Sequence, residues 1–154
     1  MDIHRDADQL RKVPMLSGFD DSQLKLIAFT SEALQFHPGD YLFLKHDPSD
    51  AVYVIMDGEV EIIISEVDDV DNVTVIATLG KNQLVGEMAV FRESPRSASV
   101  RAKQNVNTLK IPNDRFLKLI TDNPQIAMHV MRQMSERLFD TTEFARRSQS
   151  EQNA

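Results

Sequence analysis

An α+β domain, with about eight short antiparallel strands between helical ends, is the fold class predicted by three observations on this 154-residue chain. Apolar spacing is helical at Leu24, Ile27 and Ala28, alternates by two from Leu34, and turns helical again after Ile111. Turn chemistry punctuates the middle, where Pro38-Gly39-Asp40 and Asp57-Gly58 separate short runs of β-branched and aromatic residues. Helix-start chemistry marks both ends, as Asp20 with Gln23 three residues later and as Asn123 followed by Pro124. Strands this short and this closely spaced imply a sandwich or a jelly-roll-like barrel.

Residues 1–14 form an arm or a short helix, anchored by Leu10 and Val13. A helix is predicted over 20–30. Strands follow at Leu34–His37, Tyr41–Leu44 and Ala51–Met56, and Asp57-Gly58 suits a tight hairpin into Glu59–Ser65. Val73–Leu79, the neighbourhood of Gln83–Val85, Ser97–Ala102 and Val106–Ile111 complete the eight, so the barrel occupies about 34–111. Asn113 is placed to cap a helix over about 113–122 carrying Phe116, Leu117 and Ile120. A last helix is predicted over about 124–147, with Ala127, Met131, Met134, Leu138, Thr141 and Ala145 in a one-face seam that Ile126 and Val130 broaden at its start. Its first half packs on the barrel in this reading, its second half projects, and 148–154 is a tail.

Bulk properties exclude several function classes. A chain of this length buries about two thirds of its unfolded surface, enough for one core-bearing domain. Without cysteine there is no disulfide, thiolate metal site or cysteine nucleophile, and the cytoplasm is the expected compartment. No stretch approaches a membrane span, so a soluble protein is expected. A net charge of −7 and a pI near 5.0 argue against a nucleic-acid partner. His37 and His46 lie too far apart, without further ligands, for a metal site. The run Glu66, Asp68, Asp69 and Asp71 lacks the glycine and closing glutamate of a calcium loop and reads as a solvated turn. Neither a Gly-x-Ser-x-Gly elbow nor a Gly-x-x-x-x-Gly-Lys loop is present, so no catalytic residues are assigned and no enzyme is expected.

One stretch concentrates binding chemistry. Gly86 lets backbone approach a ligand closely, the helix start at Glu87-Met88-Ala89 offers N–H groups to an anion, and Arg96 can close a fork on the same anion. Glu87 is left to accept from hydroxyls. A monoanionic phosphate next to a sugar hydroxyl fits that set.

Gly86-Glu87-Met88-Ala89 followed by Pro95-Arg96-Ser97-Ala98-Ser99-Val100, together with Pro38-Gly39-Asp40 and Asp57-Gly58-Glu59 in their strand context, resembles the cyclic nucleotide-binding domain. The resemblance covers about 15–147 and implies an eight-stranded antiparallel jelly-roll-like β-barrel with N-terminal helices, a short phosphate-cassette helix at about 89–93 and two C-terminal helices. By that resemblance Glu87 accepts from the ribose 2′-hydroxyl and Arg96 pairs with the cyclic phosphate. Gly86, Met88 and Ala89 match the start of the cassette, and Ser97 and Ala98 flank the arginine. A hydroxyl at Ser97 leaves cyclic AMP and cyclic GMP both open, with cyclic AMP favoured as the ligand; no other cofactor is implied. Two departures stand out: Glu93, where many relatives have glycine, and Val85, commonly phenylalanine.

The implied mechanism closes the last helix over the base, with Met134, Arg137, Leu138 and Phe139 as lid residues, and signals to an effector protein. The seam on that helix also permits a homodimer. Only Gln149–Ala154 follow it, so a stand-alone sensor, or a piece of a larger protein, is expected. Two rival readings are a binding module for a different small effector and an interaction scaffold with a vestigial pocket.

Overall fold

The computed structural model describes residues 2–64 and 73–136. Asp2 accepts from the Arg5 amide to cap α1 (Ile3–Leu10), and a 3-10 turn follows at Pro14–Leu16. α2 (Asp21–Thr30) opens with the expected reciprocal cap. Asp20 accepts from the Gln23 amide while the Gln23 side chain accepts from the Asp20 amide. Then come β1 (Glu32–Phe36), β2 (Tyr41–Phe43), β3 (Ala51–Asp57), β4 (Val60–Ile64), β5 (Thr74–Leu79), β6 (Leu84–Val85), α3 (Glu87–Arg92), β7 (Ser99–Ala102), β8 (Val106–Pro112) and α4 (Asn113–Thr121). The helix α5 is described over 124–136.

The strands form two four-stranded antiparallel sheets, in the orders β1-β8-β3-β6 and β2-β7-β4-β5. β1 pairs with β8, β2 with β7, β3 with β6 and β4 with β5, the pattern of one long hairpin wrapped over itself into a jelly roll. The barrel expected from strand count is not closed. Among the described residues no ladder joins the two sheets, and β2 and β6, with three and two residues, are too short to carry hydrogen bonding around a closed surface.

Asp57-Gly58 is a second correction. β3 and β4 do not pair, so this turn is a corner at which the chain changes sheets rather than a hairpin. Gly58 is held there at φ 95°, and an added Cβ would collide with the Asn105 carbonyl. Pro38-Gly39-Asp40 likewise carries the chain from one sheet to the other.

Two apolar clusters result, and β3 serves both. Val52 and Val54 face the helices, where they meet Leu24, Ile27, Leu109, Ile111, Phe116 and others. Tyr53 and Ile55 face the second sheet, with Val60, Val85, Val100 and Val106. The uninterrupted apolar run Ala51–Ile55 follows from burial on both faces.

The C-terminal helices begin where expected, by different chemistry. Asn113 is the first helical residue of α4 and Pro112 stands at the cap position. The Asn123 side chain donates back to the Leu119 carbonyl. On α5 the packed face is Ile126 and Val130, with Ala127 and Met134 partly buried. Met131, placed in the sequence-read seam, is 58% exposed, because 126 and 130 win the contact with the helical core. His129 anchors α5 to the N-terminal turn, its Nε2 lying 2.8 Å from the Pro14 carbonyl oxygen and 3.1 Å from Ser17 Oγ. Arg137, Leu138 and Phe139, and the seam beyond Met134, lie outside the described residues.

Candidate functional site

The second core is unfinished at one end. Phe43, Ile62, Ile76 and Leu79 from one sheet, with Leu84 and Val85 from the other, line a cleft of about 490 Å³. Its remaining wall is the segment between β6 and β7. Gly86, Glu87, Met88, Ala89, Arg96, Ser97 and Ala98 all line it, and Met134 reaches it from α5. The site residues singled out in the sequence that lie within the described residues therefore converge on one cavity, of a size ordinary for a small-molecule site.

Local backbone chemistry builds that wall. Gly86 stands at the N-cap of α3 at φ 89°, a left-handed conformation that glycine adopts without penalty. An added Cβ there would collide with Arg96 Nη1, so the glycine also makes room for the guanidinium. The helix starts at Glu87, two residues earlier than expected, and Glu87 is 3% exposed. Ala89 is buried against the core and Met88 is exposed at the rim. α3 ends at Arg92 and is capped by Glu93, which has φ 53°, and this explains why glycine suits the position. Glu93 is exposed, so its charge is turned to solvent.

Arg96 is held with unusual care for a cation. It is 2% exposed. Nη1 donates to the Gly86 carbonyl at 2.8 Å and Nη2 to the Ala51 carbonyl at 2.6 Å. Its Cζ lies 4.0 Å from the centre of the Phe43 ring, while buried Nε has no hydrogen-bond partner. Burial draws its pKa down from the usual arginine value, opposed by Tyr53, Asp50 and Asp47. The segment around it is tied by backbone: its amide donates to Asp47 O and its carbonyl accepts from the His46 amide. Ser49 Oγ donates to the Ser94 carbonyl at 2.7 Å. Ser97 and Ala98 precede β7 instead of opening it, Ser97 exposed and Ala98 half-buried.

Several contributors had no signal in the sequence. The Ala51 carbonyl belongs to a strand named for its apolar side chains. By sequence alone Phe43 is only part of a strand, and Ile62, Ile76 and Leu79 are only alternating apolar residues. Spacing in two strands that do not pair cannot reveal that they share a cavity. Among the described residues there is no group of three or more histidine and carboxylate side chains able to hold a metal, and no helix long and apolar enough to cross a membrane.

Comparison with known proteins identifies a family and a shared fold. Residues 33–123 match the family described as the cyclic nucleotide-binding domain. A cAMP-dependent protein kinase regulatory subunit of Emericella nidulans is 32% identical over 111 residues, covering 72% of this chain and 26% of that protein. A lysophospholipase, nte1, of Aspergillus oryzae is 29% identical over 117 residues, 76% of this chain but 8% of that enzyme. The chain thus spans about a quarter of the first relative and less than a tenth of the second. The sensor domain of the transcriptional regulator DNR from Pseudomonas aeruginosa superposes with a TM-score of 0.79 at 20% identity, covering 93% of this chain and 95% of that one, a likeness of fold.

Proposed function

Because the chain belongs to the cyclic nucleotide-binding domain family, we propose that the cleft holds a cyclic nucleotide, cyclic AMP in preference to cyclic GMP, and that α5 reports its arrival to a partner protein. The observation that carries this reading is Arg96: a buried guanidinium lining the cleft, with an unpartnered Nε, is suited to an anion brought by a ligand. In the proposed pose the cyclic phosphate meets Arg96 and the backbone at Gly86–Ala89, and the ribose 2′-hydroxyl donates to Glu87. The base lies along Ile62, Ile76, Leu79 and Val100, beside Ser97 and Ala98, under Met134.

The proposed unit runs over 15–147, with 1–14 ahead of it and 148–154 as a tail. Its role is regulatory rather than catalytic, in the cytoplasm, where a cyclic nucleotide acts as a second messenger. Signalling requires the nucleotide to bind closed and open arrangements of α5 unequally. Met134 at the cleft supports α5 as the moving part, with Arg137 and Leu138 as further lid residues in the proposal. The exposed Met131 leaves that helix a surface for the effector or a second copy.

Calorimetric titration with cyclic AMP and cyclic GMP tests the reading. Micromolar binding, about −8 kcal/mol, is expected for cyclic AMP. Arg96→Ala should cost about 2–3 kcal/mol of it by leaving a phosphate unpaired. Equal affinity in parent and variant would sink the site assignment. Light scattering with and without nucleotide separates a sensor from a scaffold, which would show no ligand-linked change.

A further inference from the structure

Two carbonyls hold the ends of the Arg96 fork, yet two hydrogen bonds alone leave a guanidinium free to tilt about the line joining them. The third contact removes that freedom. The Phe43 ring presents its face 4.0 Å from Cζ, and a planar cation over an aromatic face is attracted by the ring quadrupole, most strongly where water is excluded. Arg96, at 2% exposure, is in that regime.

Phe43 is itself braced. The pairing of β2 with β7 shifts register between Tyr41 and Phe43, an irregularity of the kind that re-aims a side chain. On the second side it meets Tyr53 of the opposite sheet, ring centres 5.8 Å apart and planes tilted by 37°. Tyr53 is 5% exposed, and burial raises the pKa of its hydroxyl. Phe43 also sits where a Cβ on Gly86 would come within 3.4 Å of its Cε1, so glycine, ring and guanidinium share one packed corner.

We propose that Phe43 is a positioning residue for the phosphate end of the cleft, fixing the plane of the Arg96 guanidinium so that donors not taken by Gly86 and Ala51 are kept for an anion. The proposal rests on the cyclic nucleotide reading for its ligand, and on Arg96 alone for its geometry. Phe43 contributes no hydrogen bond and need not touch the ligand's phosphate. Its effect is exerted through Arg96, which a generic packing role would not require.

The test has a ligand-free arm and a binding arm. In protein labelled with ¹⁵N-arginine, the Nε–H resonance of Arg96, identified by its loss in Arg96→Ala, should carry a ring-current shift. Phe43→Leu should remove that shift and also lower the heteronuclear NOE of the Arg96 Nε–H group, which reports how firmly its plane is held, and Phe43→Tyr should restore both; an NOE unchanged in Phe43→Leu overturns the proposal. In the binding arm, Phe43→Leu should weaken cyclic AMP about tenfold when Arg96 is present and less than twofold in an Arg96→Ala background. Equal loss in both backgrounds would mean that Phe43, which lines the cleft, acts independently of Arg96, through packing or its own contact with the ligand, and overturns the proposal. Thermal melting of each variant separates misfolding from weakened binding, with Phe43→Tyr as the variant that keeps the ring. Absence of any cyclic nucleotide binding by the parent, with the Phe43-dependent NOE present, sinks the ligand reading while supporting Phe43 as the brace of Arg96.

Discussion

The core between the helices and the first sheet is closed by Leu10, Leu16, Leu24, Ile27 and Phe116, whereas the core between the two sheets opens at one end and contains a buried guanidinium. The same strand supplies both, Val52 and Val54 to one and Tyr53 and Ile55 to the other. The difference lies in what completes each cluster. Helix side chains cover the first, where a gap would cost stability directly. The second lacks material at the β6–β7 end, and its missing wall is a glycine, a short helix and an arginine. An incomplete core of this kind is a binding site whose apolar walls are already paid for by folding.

If the two regions are as separate as this comparison holds, the largest effect belongs to the closed core. Phe116, fully buried and 5.7 Å from the Phe91 ring, should cost about 3–5 kcal/mol of stability on truncation to alanine, read by urea unfolding. Protein that remains folded should bind nucleotide as the parent does; a parallel fall in affinity would show the two cores to be one cooperative unit. Next in size is a pair of glycine substitutions. Gly86→Ala and Gly58→Ala both force alanine into a left-handed backbone, at about 1–2 kcal/mol each, with a further clash in both cases. Only Gly86→Ala presses on Arg96, so only it should weaken cyclic AMP, and the ratio of the two affinities measures how local the site is. The smallest effect runs the other way. Glu93→Gly relieves a strained φ at an exposed position and should raise stability by roughly 0.5–1 kcal/mol, with affinity unchanged within twofold. A large gain in affinity would mean that the Glu93 charge is felt in the cleft.

Much of this was legible in the sequence, for identifiable reasons. Asp20 and Gln23 form their cap through residues three apart, and such local chemistry survives any tertiary arrangement. The eight strands appear because alternation is also local, and the Gly86–Ala98 wall appears because a continuous segment carries it. What failed was non-local. Asp57-Gly58 has hairpin chemistry, but strand pairing is decided by partners far along the chain, so the same dipeptide makes a corner. Phe43 and the Ala51 carbonyl meet Arg96 only after the sheets stack.

The wrapped-hairpin pairing also governs how this chain must be made. Glu32 pairs with Lys110 and Phe36 with Val106, so β1 has no partner until nearly the whole of the strand region has left the ribosome. Until then its alternating apolar residues are exposed, and closing so long a loop is the slow step that places all-β domains in roughly the millisecond-to-second range. α2, capped by its own residues, has no such wait and can form first. Synthesis thus supplies α1 and α2 early, but Ile111, Phe116 and Val130, which complete their core, arrive only with or after β8, and the interval before β8 appears is when β1 is most open to pairing with another chain.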